Sequence, residues 1–590
     1  MPTVVHVTHE AVQKIGGIGA VLEGLLTAPT YRSRVPRTVV VGPLFSRKGG
    51  VDQRLGPAGV VRYSSIDGRA DHPAADALRQ VEQRFGVSIV YGTRLYAAPE
   101  AGAQAEAEVL LIDVHQIAPH ENNALKWRLF QHYGLRSDPF ESIWEYEQYV
   151  RLAAPAIAAL MALGIGALHD PAIVFAHEFM GLPTALAARL EPRFACRTLF
   201  HAHEVATVRK IVEDHPGHDT MFYNVMAQAR AAGQSLADLF RDARGYFKHV
   251  LVEAARHCDG ILAVGPQVVD ELRFLGPAFD AAPIRLAYNG IPARAATVDE
   301  VAAARGRLAA YCQNLLGWRP DHVFTHVARF VRSKGLWRDL MVLRELDELM
   351  WAERRTAVFL ILSNEHYGPR RPEEVRHMER WWRWPAAHRE GYPDLTGGEA
   401  LFYALVQEFN AAARAVKAIF INQFGFSREA CGERVPAEVD FWDLRRGSDL
   451  EFGQSIYEPF GIAQVEAVSF GALCVFSGVC GCAGFVQDVA SAETRENLVI
   501  ADYTDLPAAR DIPALLAMKM DEREANDRRV ARGVAREIAR LLPRSADARA
   551  AAVHRGVELA QRMSWEVVAR DYVFPAIDAA LKRVEVVAVG

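Results

Sequence analysis

Two successive series of short apolar runs, each run bounded by turn residues and followed by a helical pattern, constrain this chain more than any other feature of its sequence. The first series occupies residues 1–7, 38–42, 108–113, 172–176, 197–201 and 260–264. The second restarts at 323–328 and continues through 357–362, 418–422, a weaker run near Ser455, and 472–476. Apolar strands alternating with helices read as parallel sheets with crossover helices. The expected fold class is therefore α/β, with two doubly wound, Rossmann-like parallel-sheet domains. A polar helix rich in Ala and Arg over 297–316 lies between the series, which gives an expected first domain over 1–300 and a second over 301–562. Residues 364–446, with Trp381, Trp382 and Trp384 among many charges, read as a helical insertion suited to oligomeric contact or acceptor binding. The alternative is a large helical cap with partly buried aromatics.

The length of 590 residues favours two large domains over one. Half the residues are hydrophobic and 24% are charged, an ordinary globular composition. A formal net charge of -5 with interspersed signs provides no basic field for nucleic acid or an anionic membrane, so any anion site must be local. The start of the chain reads as a buried strand rather than a secretory signal. The uncharged stretch 152–168 contains Pro155 and reads as a core helix rather than a membrane span. Seven cysteines without framework spacing fit free thiols in a reducing, cytoplasmic setting. Cys480 and Cys482 lack a second close pair, so a structural zinc is not expected there.

Chemistry concentrates in a few phrases. Glu458 and Glu466 stand eight positions apart across Pro459, Phe460 and Gly461 and the first turns of a helix. One carboxylate can sit in the loop and the other on the helix on the same side, beside a helix N-terminus suited to a diphosphate. The alternative makes Glu458 a helix-start residue and Glu466 a solvated one. Upstream, Arg329 and Lys334 follow a strand and open a helix, where a forked and a point cation can hold a diphosphate and stabilise it as it leaves. A solvated basic turn is the alternative. Lys334 is one of only nine lysines.

Near the start, Lys14, Gly16 and Gly17 form a loop whose backbone amides can approach a phosphate. Its register fails the dinucleotide pattern, because Leu22 stands at the third glycine position. Two histidine phrases, His177-Glu178 and His201-Ala202-His203-Glu204, fall at strand ends. A His pair two apart with a Glu suggests zinc, but nothing in the sequence forces a third neutral ligand nearby. The expectation is no metal, with the histidines in substrate-binding positions at the C-terminal ends of parallel strands.

Taken together these phrases resemble the retaining, two-domain glycosyltransferases of the glycogen and starch synthase type. The acidic pair with seven intervening residues, the Arg and Lys of the phosphate loop and the Lys-x-Gly-Gly loop carry the resemblance. Weaker matches are Tyr288-Asn289-Gly290, the run 245–259, and Trp565 in a final segment, 563–590, expected to cross back to the first domain. The loop 473–485 looks like the animal and fungal enzymes, whereas Ile462-Ala463-Gln464 looks like the bacterial and plant ones.

The resemblance implies a GT-B architecture in which two domains face a cleft, with Glu458, His201, Arg329 and Lys334 as catalytic residues. It implies donor contacts from Lys14, Gly16, Gly17, His177, Asn289, Phe460, Gly461 and Glu466. Glu458 would lie by the donor sugar and Glu466 by the ribose. The implied reaction transfers glucose from ADP- or UDP-glucose to the end of an α-1,4-glucan, with retention and without a cofactor. A nucleotide sugar and a sugar acceptor are the expected partners, with no nucleic acid, no membrane and a homo-oligomeric state. No arginine cluster for glucose-6-phosphate sensing and no pyridoxal-phosphate lysine motif is recognisable. Rival readings are a transferase making a small glycoside, and a silent nucleotide-sugar or glycan-binding scaffold.

Overall fold

The computed structural model describes residues 2–583 except 13–15, 99–101, 215–217 and 366–367. The chain forms two compact units. The first comprises residues up to Val208, Ala232–Gly290 and the segment from Trp565; the second comprises Arg209–Ala231 and Ile291–Ser564. Residues 209–231 thus group with the second unit although they lie well inside the first series of strands.

In the first unit the strands are β1 (Val4–Val7), β2 (Thr38–Pro43), β3 (Val60–Ser64), β4 (Arg69–Ala70), β5 (Ser88–Ala98), β6 (Ala103–Asp113), β7 (Ala172–His177), β8 (Cys196–Ala202), β9 (Gly260–Ala263) and β10 (Ile284–Leu286). They form one sheet in the order β10-β9-β8-β7-β1-β2-β6-β5-β3-β4. All pairings from β10 to β6 are parallel, and those among β6, β5, β3 and β4 are antiparallel. This antiparallel edge was not expected from the sequence. Its long strand β6 begins with alternating small and charged residues, a half-exposed pattern unlike the continuous apolar runs of the centre. The buried helix expected over 152–168 is the end of Trp144–Ala162, which carries Pro155 in its interior.

The second unit is entirely parallel: β11 (His322–Val327), β12 (Ala357–Leu362), β13 (Val416–Ile421), β14 (Leu450–Gly453), β15 (Leu473–Ser477) and β16 (Leu498–Ala501). Their order is β13-β12-β11-β14-β15-β16. The intervening helix starts at Val298, where Thr297 and Glu300 cap each other reciprocally. Residues 364–446 hold the crossover helices Pro372–Trp382 and Gly398–Ala412 and also the edge strand β13, so they form part of the sheet layer. Trp384 is fully buried, with Nε1 donating to Asn422 Oδ1 at 2.7 Å, whereas Trp381 is exposed.

The helix His218–Ala231 is fixed within the second unit by a buried ionic group. Arg338, on the helix Leu336–Ala352, donates to both carboxylate oxygens of Asp219 at 2.8 and 2.9 Å and to Asp527 at 3.1 Å. Its guanidinium lies 3.6 Å from the centre of the Tyr503 ring. Thr220 and Asn224 add bonds to the carbonyls of Tyr503 and Thr504. Two carboxylates on one guanidinium keep its charge balanced away from water, which a buried arginine requires. Among the described residues no helix is long and apolar enough to cross a membrane.

Candidate functional site

Doubly wound sheets leave a crevice at the carboxyl ends of the strands where the winding reverses. In the second unit that point lies between β11 and β14, and the loops following these two strands carry Arg329, Lys334 and Glu458. Lys334 is held in place by the turn at Gly335, whose φ of +64° suits glycine and whose Cβ would come within 2.3 Å of the Gln454 carbonyl. Its ammonium pairs with Glu458 Oε2. The same oxygen accepts from Gln464 Nε2 at 2.8 Å and from Ser455 Oγ at 3.4 Å. Burial pushes the Glu458 carboxyl up, but the Lys334 charge and these bonds outweigh it and hold the group below its usual range.

Arg209, which the sequence reading missed, contributes to that field, since its charge also favours the Glu458 anion. Its guanidinium donates to Glu213 at 3.1 Å, and Arg332 reaches the Glu213 carbonyl. The missing signal was tertiary: 249 positions separate Arg209 from Glu458 in the sequence. Arg329 is exposed at the mouth of the same loop.

In the acidic phrase Glu458 lies in the loop and Glu466 on the helix that follows it. Gly461, at φ +91°, leads into a helix of only five residues, Ile462–Glu466, which continues as a 3-10 turn. The next helix, Gly481–Val489, has its Gly481 and Cys482 amides already bonded to the carbonyls of Glu458 and Phe460. Phe460 is buried against Phe485, and Glu466 meets Arg445 Nε at 3.3 Å, an arginine that also grips Glu451. Cys480 and Cys482 are buried free thiols.

In the first unit the reversal lies between β1 and β7. Gly16 and Gly17 precede the helix Ile18–Thr27, and the Glu10 carboxylate anchors this loop by accepting from the Gly19 amide at 2.9 Å. Lys14 lies outside the described residues. The parallel register sets His177 opposite His201, and alternation puts His203 on the same face. The three rings are mutual neighbours, with centroids 4.1 to 5.5 Å apart.

His177, expected to contact the donor, is fully buried, and both of its ring nitrogens are engaged: Nε2 with His6 Nδ1 and Nδ1 with His203 Nε2, each at 2.9 Å. His201 is 2% exposed and neither ring nitrogen makes a well-formed hydrogen bond, although the Ala287 backbone lies near enough to favour the charged ring against burial. Burial lowers it to about 4 and His6 to about 3, so both are neutral imidazoles at pH 7. His203 is half-buried and so more open to solvent.

Glu178 adopts φ +60°, unusual for a non-glycine residue, immediately after β7. Its Oε1 accepts from the amides of His203 and Glu204, and Oε2 is buried without a partner. Burial and the Glu204 charge raise its pKa well above the usual value, against the pull of the backbone bonds. Asn289 is also buried, with Oδ1 unpartnered.

No family model matches the chain, and no curated protein matches it by sequence. Among solved structures it is similar to the catalytic domain of starch synthase IV from Arabidopsis thaliana bound to ADP and acarbose, at 14% identity over 98% of this chain and 100% of that one, with a TM-score of 0.48. Similar too are a UDP-forming alpha,alpha-trehalose-phosphate synthase from Burkholderia xenovorans (12% identity, 98% and 99% coverage, TM-score 0.49) and a sucrose-phosphate synthase from Thermosynechococcus elongatus (15%, 96% and 96%, 0.43). At these identities and scores no assignment of substrate rests on the likeness.

Proposed function

We propose that the chain is a retaining glycosyltransferase that binds a nucleoside-diphosphate sugar at the strand reversal of its second unit and transfers glucose to an α-1,4-glucan. The observation that carries this reading is the Lys334–Glu458 pair, set by two loops at the crevice between β11 and β14. A diphosphate arriving there meets Arg329 and Lys334. As it takes over the Lys334 ammonium, Glu458 is released as an anion beside the donor sugar, where it stabilises the positive charge that develops at the anomeric carbon. The bond from that carbon to the diphosphate oxygen breaks, the acceptor oxygen attacks on the same face, and the leaving diphosphate takes the acceptor proton. Glu466, on the helix following the same loop, is assigned to the nucleotide ribose. Asn289 and the Gly16-Gly17 loop belong to the first unit, and their donor contacts are part of the proposal.

The test is release of nucleoside diphosphate from ADP-, UDP- and GDP-glucose, with and without glycogen or maltooligosaccharide. Primer-dependent release from one glucose donor is expected, falling about 100- to 1,000-fold in Glu458→Gln and Lys334→Ala. Release only with small acceptors replaces the glucan by a small glycoside. Absence of turnover over a broad acceptor panel, or full activity in both variants, overturns the reading.

A further inference from the structure

The histidines at the strand reversal of the first unit are more numerous, and more completely buried, than hydrogen bonding to a sugar requires. His177, His201 and His203 each offer a ring nitrogen, and these atoms all lie within 4.8 Å of one another. Tetrahedral zinc with bonds of about 2.0–2.1 Å places its ligand nitrogens about 3.3 Å apart, so small ring rotations bring this trio to ligand spacing. The 2.9 Å contact between His177 Nδ1 and His203 Nε2 is a hydrogen bond that requires a proton on one of the two; a cation between them replaces that proton.

Two further observations point to a missing ligand. His201 buries both ring nitrogens without a well-formed hydrogen bond, the nearby Ala287 backbone notwithstanding. Glu178 Oε2 is likewise buried and unpartnered on the turn whose other oxygen holds the His203 amide.

The surroundings of His177 are those of a metal-bound imidazole. With Nδ1 given to a cation, Nε2 carries the proton and donates to His6 Nδ1 at 2.9 Å. The His6 proton is then on Nε2 and donates to Tyr31 Oη at 2.9 Å, and Tyr31 in turn donates to Thr38 Oγ1 at 3.2 Å. Every donor in this chain finds an acceptor in a single direction, and an outer hydrogen bond of this kind fixes the tautomer and orientation of a ligating histidine.

We propose that His177, His201 and His203 form a binding site for one divalent transition metal, zinc by ligand chemistry, with a fourth tetrahedral position open toward the carboxyl ends of β7 and β8. Three imidazoles suit zinc, copper, nickel or iron rather than calcium or magnesium. This assignment is independent of the transferase reading, whose cations and carboxylate lie in the second unit. It gives His177 and His201 a role different from the sugar contacts that the family resemblance implies.

The test uses the full-length protein, stripped with a chelator and titrated with zinc and with cobalt. One equivalent of each is expected, and the cobalt form should show the intense visible bands of tetrahedral coordination. Affinity should fall at least 100-fold in His203→Gln and His201→Ala, about 10- to 100-fold in His6→Leu, and not at all in His169→Ala, a change at an exposed position. Circular dichroism of each variant reports whether it is folded. Should His201→Ala fail to fold, the cobalt spectrum of the unaltered protein and the half-buried His203→Gln still decide. A six-coordinate cobalt spectrum, or zinc affinity in the unaltered protein no greater than in His203→Gln, overturns the site.

Discussion

Glu178 and Glu458 occupy corresponding places in the two units. Each follows a central strand at the reversal of its sheet and each is largely buried, yet they titrate in opposite directions. Glu178 has two backbone amides against it but also the Glu204 charge, and it favours the protonated acid. Glu458 has an ammonium, an amide and a hydroxyl against it and favours the anion. Burial opposes the charged form at both positions, so the difference comes from the neighbouring charges: Lys334, with Arg209 behind it, at Glu458, and Glu204 at Glu178. Lys334 stands at the end of β11, whereas the equivalent crevice in the first unit is filled with imidazoles. Position in a doubly wound sheet provides a crevice; the neighbouring charge decides which chemistry the crevice supports.

The largest test of this contrast enlarges it. If the second unit is organised around compensated charge, Arg338→Met should cost about 4 kcal/mol, because Asp219 and Asp527 lose their common partner in the core. Urea unfolding at pH 7 measures it, and a loss under about 1 kcal/mol would show that the ionic group is incidental.

A smaller loss, about 2 kcal/mol at pH 7, is expected for Lys334→Met, which leaves the Glu458 carboxylate with Gln464, Ser455 and the Arg209 charge. Since the folded pKa of Glu458 is depressed, the stability it contributes is present above pH 4.5 and is lost as pH falls toward the folded value. The penalty of Lys334→Met should therefore shrink on acidification. A penalty independent of pH would separate the lysine from the carboxylate.

The smallest effect belongs to the other glutamate. In metal-free protein Glu178→Gln should change stability by no more than about 0.5 kcal/mol well below pH 4.5, because a neutral amide there replaces an acid that is neutral in both the folded and unfolded states. A raised folded pKa means that the stability due to Glu178 is present below pH 4.5 and lost as pH rises toward the folded value. The variant should accordingly lose less stability than the parent over that rise, a trend opposite to that at Glu458 and readable from the same unfolding curves.

Much of this arrangement is legible in the sequence. The continuous apolar runs marked the central strands of both sheets, and Pro459 with Gly461 marked a loop that brings Glu458 toward Lys334. The weaker run near Ser455 was misplaced: the strand is Leu450–Gly453, and Ser455 already belongs to the loop that holds Glu458. The third histidine was present in the sequence but could not be recognised as a neighbour of the His201-His203 pair. Its proximity depends on which strand pairs with which and in what register, and apolar patterns do not specify that for a parallel sheet. Arg209 escaped for the same reason at longer range. The antiparallel edge lacks the dense apolar runs of the centre because only part of its surface is buried.

The interleaved division of the chain has a consequence for its synthesis. Asp219 leaves the ribosome 119 residues ahead of Arg338, and Arg338 a further 189 ahead of Asp527. At about 5–20 residues per second, the helix His218–Ala231 waits roughly 15 to 60 seconds before its ionic partners are complete. The first unit must likewise wait for the segment from Trp565. Neither unit is finished before the other has been started, so the nascent protein carries two incomplete cores for most of its translation, and its yield in a cell depends on how well those unfinished surfaces are kept apart.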